Sequence, residues 1–267
     1  MPVLWLRVAL ALYSLGLVYS VVALGRQTHW ITRFTAPAVQ LGMIFHFVSL
    51  LESAHEQGRL AGSFHDVESL LAFMLMLGFS AVYVRYRTVT PGILIFPAVF
   101  LLTFAAAMGK HPIVFTSPLR KPWIAVHITL VLGGYAALLF SLSACLLYLL
   151  QERGLKSKSR WAFSRLPALD VIDQISYRSL LLGFPFMTLG LVTGIVLAEA
   201  EFGAAFLRDP KILLSLLMWA VYIVLLYTRW SAGWRGRRAA LLASVVFVAA
   251  IGAWAANSFS SIHRFTR

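Results

Sequence analysis

Eight apolar runs, each near the length of a membrane-crossing helix, constrain what this chain can fold into. They cover about residues 4–24, 36–52, 67–84, 91–108, 123–150, 178–198, 211–228 and 238–257. A helix rises 1.5 Å per residue, so about 20 apolar residues cross about 30 Å of hydrocarbon. The second to fourth runs are at the short end, and the fifth is long enough to tilt or protrude. None alternates with period two, which argues against strands and a membrane barrel. With 60% hydrophobic and 12% charged residues, the chain is far from the composition of a soluble domain. Continuous apolar runs exclude disorder. The expected fold class is all-α, a polytopic membrane protein of about eight transmembrane helices forming one integral membrane domain over 1–267. The first run reads as a span and not a signal peptide: Val3 to Leu24 is long, is interrupted by Arg7 and lacks a small-x-small cleavage site.

Charge then orients the spans. The net charge is +13, and the cations lie between the apolar runs. Alternate loops carry fourteen of the 23 Lys and Arg, including Arg85, Arg87, Arg153, Lys156, Arg229 and Arg235. The positive-inside rule places those loops in the cytoplasm and both termini on the other side. That topology accounts for the basicity, so nucleic acid is not an expected partner. Anionic membrane lipid is. One cysteine, Cys145, excludes a disulfide framework and a CxxC redox pair. It lies deep in the fifth run and reads as an inert core thiol.

The cytoplasmic loop 151–177 is the only sizeable polar stretch. Its first half is basic. Its second half, Leu166 to Asp173, reads as a turn and a short amphipathic helix leading into the sixth span. Asp170 and Asp173 there read as capping and charging a helix start, where the macrodipole favours anions.

The middles of the spans contain no Asp, Glu, Lys or Arg, which counts against a proton pump or an ion-coupled transporter. Phosphate-loop, dinucleotide-binding and HExxH motifs are absent. Gly190 and Gly194 form a small-xxx-small pattern that reads as helix packing. Pro97 and Pro185 fall inside spans and are expected to bend them. The histidines are more informative. His127 follows Trp123 by four residues, about one turn inside the outer end of the fifth span, and His263 lies past the eighth. His46 is inside the second span. Neutral imidazole ligates iron well, and two histidines at one membrane level suit the opposite faces of a flat macrocycle. A satisfied membrane histidine is the plainer reading of each one alone.

The order of these residues resembles the cytochrome c assembly family, with its CcsA/ResC haem-handling proteins and related HemX/YpjD-type members. Trp123 to His127 with Gly134-Tyr135 is similar to the family's first outer histidine segment. Leu166 to Asp173 with Tyr177-Arg178 and Gly183-Phe184-Pro185 is similar to its cytoplasmic approach to the next span. Asp209-Pro210-Lys211, Tyr227-Thr228-Arg229 and Asn257 with Ser261-Ile262-His263 continue the match. It is strongest over 120–265, and the first 110 residues look nearer the HemX/YpjD type. Where the haem-handling members carry several tryptophans, this chain has Phe202 and Phe206, with Arg208 before Asp209. Tyr227 stands where those members have a histidine.

The resemblance implies a haem-handling protein of cytochrome c biogenesis in the bacterial inner membrane. It would hold haem b at the non-cytoplasmic face for delivery to apocytochrome c, beside a partner assembly subunit. His127 and His263 are the implied iron ligands, and His46 an inner site. Phe202, Phe206 and Arg208 are implied haem contacts, with Lys211 and Arg120 as further propionate partners. Such a protein is a haem chaperone or lyase component, with no nucleophile of its own. The HemX-type side of the resemblance implies an alternative, a regulator or scaffold of tetrapyrrole biosynthesis acting through loop 151–177. A small-molecule transporter with incidental histidines is a third reading.

Overall fold

The computed structural model describes residues 2–25, 29–57, 63–109, 122–157, 167–203 and 209–255. Every regular element among them is a helix: α1 (Pro2–Gly25), α2 (His29–Gln57), α3 (Phe64–Tyr86), α4 (Gly92–Met108), α5 (Pro122–Lys156), α6 (Leu169–Phe202), α7 (Pro210–Ser231) and α8 (Arg237–Ala255). The chain is therefore an all-helical polytopic membrane protein, with its helices where the apolar runs predict them. Six of these helices are long and apolar enough to cross a membrane. The other two are α4, apolar but only 17 residues long, and α8, which opens on Arg237 and Arg238. Large apolar side chains point outward all round the bundle, among them Leu101, Leu182, Val196, Leu217 and Val248. In water such a surface would aggregate, whereas lipid solvates it.

The helices pack as two groups of four. In the first, α1 lies against α2 and α4, and α3 against α2 and α4. Its core holds Tyr13, Val39, Leu75, Met76, Phe79, Ile95 and Phe96. In the second, α5 lies against α6 and α8, and α7 against α6 and α8. Its core holds Leu138, Leu180, Met187, Met218, Tyr222, Leu225 and Val246. The groups meet along α3 and α5. There a Cβ on Gly78 would stand 2.8 Å from Phe140, so α3 needs a glycine at that contact.

The helix ends follow local chemistry. Ser63 caps α3: its hydroxyl accepts from the Asp66 N–H at 3.1 Å, and the Asp66 carboxylate accepts from the Ser63 N–H at 2.8 Å. This is a capping box with Asp in the acid's place. Asp209 caps α7 by accepting from the Lys211 N–H at 2.9 Å, and Pro210 occupies the first turn, where no N–H partner is lost. Pro97 and Pro185 both stay inside continuous helices.

One expectation is corrected. The short helix and the sixth span are a single helix, α6, whose N-cap residue is Ala168 with no side-chain cap bond. Asp170 does lie in the first turn, where it accepts from the Gln174 amide at 2.7 Å. Asp173 does not cap. Its carboxylate pairs with Arg229 of α7 at 2.9 Å, both side chains nearly buried, with Arg235 at 3.5 Å. The Arg229 guanidinium also lies 5.3 Å from the Tyr177 ring centroid. The pair ties the basic ends of α6 and α7 together, which a reading of the local helix start had no way to find. Arg229→Met should leave the Asp173 charge poorly compensated and destabilise the fold by about 3 kcal/mol. Adding Asp173→Leu should recover most of that loss in thermal unfolding of the detergent-solubilised protein.

Candidate functional site at the outer end of α5

His127 lies in the second turn of α5, at the end of the bundle opposite the basic loops. It is seated by two glycines of α6. The His127 Nδ1 is 2.8 Å from the Gly190 carbonyl oxygen and 3.4 Å from the Thr193 hydroxyl. A carbonyl only accepts, so Nδ1 carries the proton and donates to it. The lone pair then resides on Nε2. No described residue hydrogen-bonds Nε2. A carbonyl that fixes the tautomer and orients the ring is the arrangement that prepares an imidazole to bind a metal.

The seat depends on missing side chains. A Cβ on Gly194 would stand 2.6 Å from the His127 Cε1. On Gly190 it would stand 2.8 Å from the Val131 side chain and 3.2 Å from the Val131 backbone nitrogen. The small-xxx-small pattern thus packs helices, as its spacing predicts, and also makes room for an imidazole. Thr193 points its hydroxyl back to its own helix, at 2.8 Å from the Leu189 carbonyl. Trp123, one turn before His127, is 61% exposed at the mouth of the site. The Lys211 ammonium is near enough to act electrostatically on the ring. Lys211 is held there by the Asp209-Pro210 start of α7, so the Asp-Pro-Lys motif has a local structural role beside any functional one. Gly194 lies about 12 Å along α6 from Phe202, which ends the helix; Gly203 follows in a positive-φ conformation (φ 58°). Phe206, Arg208, His263, His111 and Arg120 lie outside the described residues, as does the side chain of Phe202.

His46 has a different setting. It is fully buried in the first helix group. Its Nδ1 is 3.3 Å from the Tyr13 hydroxyl and its Nε2 is 2.9 Å from the Ser69 hydroxyl. Phe73 meets the ring edge-on at 5.7 Å. Both nitrogens are thus engaged. The structure does not bring His46 to His127: Phe73 joins Leu50, Leu70, Leu132 and Ile128 in an apolar layer between α2, α3 and α5. Two further histidines lie in helices. His65 in the first turn of α3 pairs with Glu68 at 2.8 Å, and His55 is exposed near the end of α2. Among the described residues no group of three or more His, Cys, Asp or Glu is arranged to hold a metal ion.

The sequence model described as "Cytochrome C assembly protein" matches residues 3–258. The chain belongs to the cytochrome c assembly protein family. Several proteins named "Cytochrome c biogenesis protein CcsA" are similar to it. That of Guillardia theta is 28% identical over 204 residues, 68% of each chain. That of Prochlorococcus marinus strain MIT 9301 is 30% identical over 217 residues, 72% of this chain and 70% of the relative. That of Synechococcus strain CC9902 is 36% identical over 149 residues, 48% of this chain and 49% of the relative. The match thus spans from about half to about seven tenths of these relatives' length. The family match runs through both helix groups, beyond the stretch 120–265 where the motifs are densest.

Sequence reading missed Gly190, Gly194, Tyr13 and Ser69 as partners of the histidines. Only the four-residue glycine spacing signalled any of them. The seat can be measured by a double-mutant cycle. Gly194→Ala should cost about 1–3 kcal/mol through overpacking against the ring. In a His127→Ala background the same change should cost much less, giving a coupling of at least about 1 kcal/mol in thermal unfolding.

Proposed function

We propose that this protein handles haem in cytochrome c biogenesis, holding it at the non-cytoplasmic face of a bacterial inner membrane for delivery to apocytochrome c. The observation that carries the reading is His127: fixed through Nδ1 and, among the described residues, without a partner at Nε2. Family membership and the relatives named for cytochrome c biogenesis support it. The basic ends of the helices then face the cytoplasm, as the charge bias argues.

Haem b, when bound, would supply an iron that imidazole can ligate. His127 would donate its Nε2 lone pair, and Gly190 would hold the ring in the tautomer that leaves this lone pair free. His263, the second outer histidine, is the other proposed ligand. Lys211 and Arg208 would meet the propionates as charge-assisted donors. Phe202 and Phe206 would offer apolar surface to the ring in place of tryptophans. His46 is a poorer fit, because ligation there requires giving up its bond to Ser69 or to Tyr13. The thioether-forming cysteines must come from the apocytochrome, since the only cysteine of this chain, Cys145, is buried and bonded to Ser176 at 3.2 Å. This makes the protein a chaperone or lyase component that works with a partner subunit.

A second reading is a HemX-type scaffold for tetrapyrrole biosynthesis, acting through the stretch 151–177, which, contrary to expectation, is not all loop: 151–156 end α5 and 169–177 begin α6. It is favoured by the absence of tryptophans between Glu199 and Asp209, and by Tyr227, which is exposed on the outside of α7.

The purified protein should show a Soret band with near-stoichiometric haem, sharpening into reduced α and β bands with dithionite. His127→Ala/His263→Ala should lose most of it, and added imidazole should restore part. A parent chain that stays haem-free when haem is supplied during expression would sink the first reading. Charge reversal at Lys156, Lys158 and Arg160 separates the two. It should leave the haem spectrum unchanged if haem is held at the outer end, and should abolish capture of a soluble tetrapyrrole enzyme if the loop is a scaffold.

A further inference from the structure

Near the basic end of the bundle, α5 does not close on the packed pair α1 and α4. They leave a groove of about 250 Å³ walled by Val21, Ile93, Leu94, Pro97, Leu147 and Leu150. Its lining is almost wholly apolar. The polar group at its edge is Ser20, whose hydroxyl lies 3.0 Å from the Gly16 carbonyl and 3.2 Å from the Gly92 carbonyl. The groove therefore presents hydrocarbon to whatever enters. It offers no His, Cys, Met or Tyr to an iron. Val21 is 65% exposed and Leu150 43%, so it opens on the outside of the bundle, where lipid lies.

The groove also has a charged end. Arg153 follows Leu150 by three residues and so stands next to it on the α5 surface, one turn nearer the basic end. It is exposed, and the neighbouring Glu152 is taken by Lys156 at 2.7 Å. Arg87, also exposed, is held in a left-handed conformation (φ 53°) in the turn that leads into α4. Neither arginine has an ion-pair partner among the described residues. An apolar slot with two exposed arginines on the segments that supply its walls, neither ion-paired among the described residues, is complementary to one kind of molecule.

We propose that this groove is a specific site for an anionic diacyl phospholipid, with one acyl chain between α1, α4 and α5 and its phosphate at Arg87 and Arg153. Cations near the interface attract anionic headgroups, and the slot selects one lipid from the bulk by holding its chain. The site is independent of the haem reading and lies at the opposite end of the bundle from His127.

The test is native mass spectrometry of the full chain released from nanodiscs of equal phosphatidylglycerol and phosphatidylcholine. One phosphatidylglycerol should be retained per chain in clear preference to phosphatidylcholine. Arg87→Ala and Arg153→Ala should each weaken retention about fivefold. Val21→Trp should abolish it by filling the groove, and Leu150→Trp should do the same from the opposite wall if the first variant folds poorly. Equal retention of the two lipids would overturn the proposal. So would full retention in both tryptophan variants, or a groove occupied by haem or by a second copy of the chain.

Discussion

The close approach of α5 and α6 is the contact on which the rest of this structure depends. Without water, apolar burial does not drive helices together; packing and interhelical hydrogen bonds do. Gly134, Gly183 and Gly190 line the seam, and a Cβ at any of them would stand within 2.6–2.8 Å of a facing side chain. Because the backbones lie so near, the Gly190 carbonyl reaches an imidazole on the other helix. The same seam carries Ser176 to Ser141 at 3.0 Å and to Cys145 at 3.2 Å toward the basic end. A wider interhelical spacing would forfeit all of these bonds together.

Many polar groups inside the bundle are tied to one another across helices. Tyr222 donates to the Leu180 carbonyl at 2.8 Å, and the Trp219 indole to the Thr188 hydroxyl at 3.0 Å. Asp173 answers Arg229, and His46 answers both Tyr13 and Ser69. In hydrocarbon an unpaired polar group has no solvent to turn to, so each tie also sets the register of two helices. The Nε2 of His127 is different: among the described residues it has no hydrogen-bond partner, and the Gly190 carbonyl fixes the tautomer that leaves its lone pair unused.

Much of the fold was legible from the apolar runs. Their lengths located all eight helices. The continuity of α6 was not legible. A polar, aspartate-bearing stretch read as a short amphipathic helix leading into the sixth span, because the partner that accommodates Asp173 lies 56 residues away on Arg229. Of the candidate site, His127 and the glycine pair were both visible as residues. That they face each other was not, since nothing local relates a histidine on one helix to a carbonyl 63 residues on. His46 shows the same limit from the other side. Its place in a span was evident, and its two hydrogen bonds came from α1 and α3.

By itself the sequence determined that this chain spans a membrane as helices, which end of the bundle is basic, and which residues carry the family pattern. These follow from composition, run length and charge order, all properties of the chain read in one dimension. Tertiary structure alone decided which carbonyl fixes the His127 tautomer, which glycines make room for its ring, and which aspartate is a buried ion-pair partner. Those outcomes depend on interhelical distances of a few ångströms, set by how the side chains of separate helices interlock.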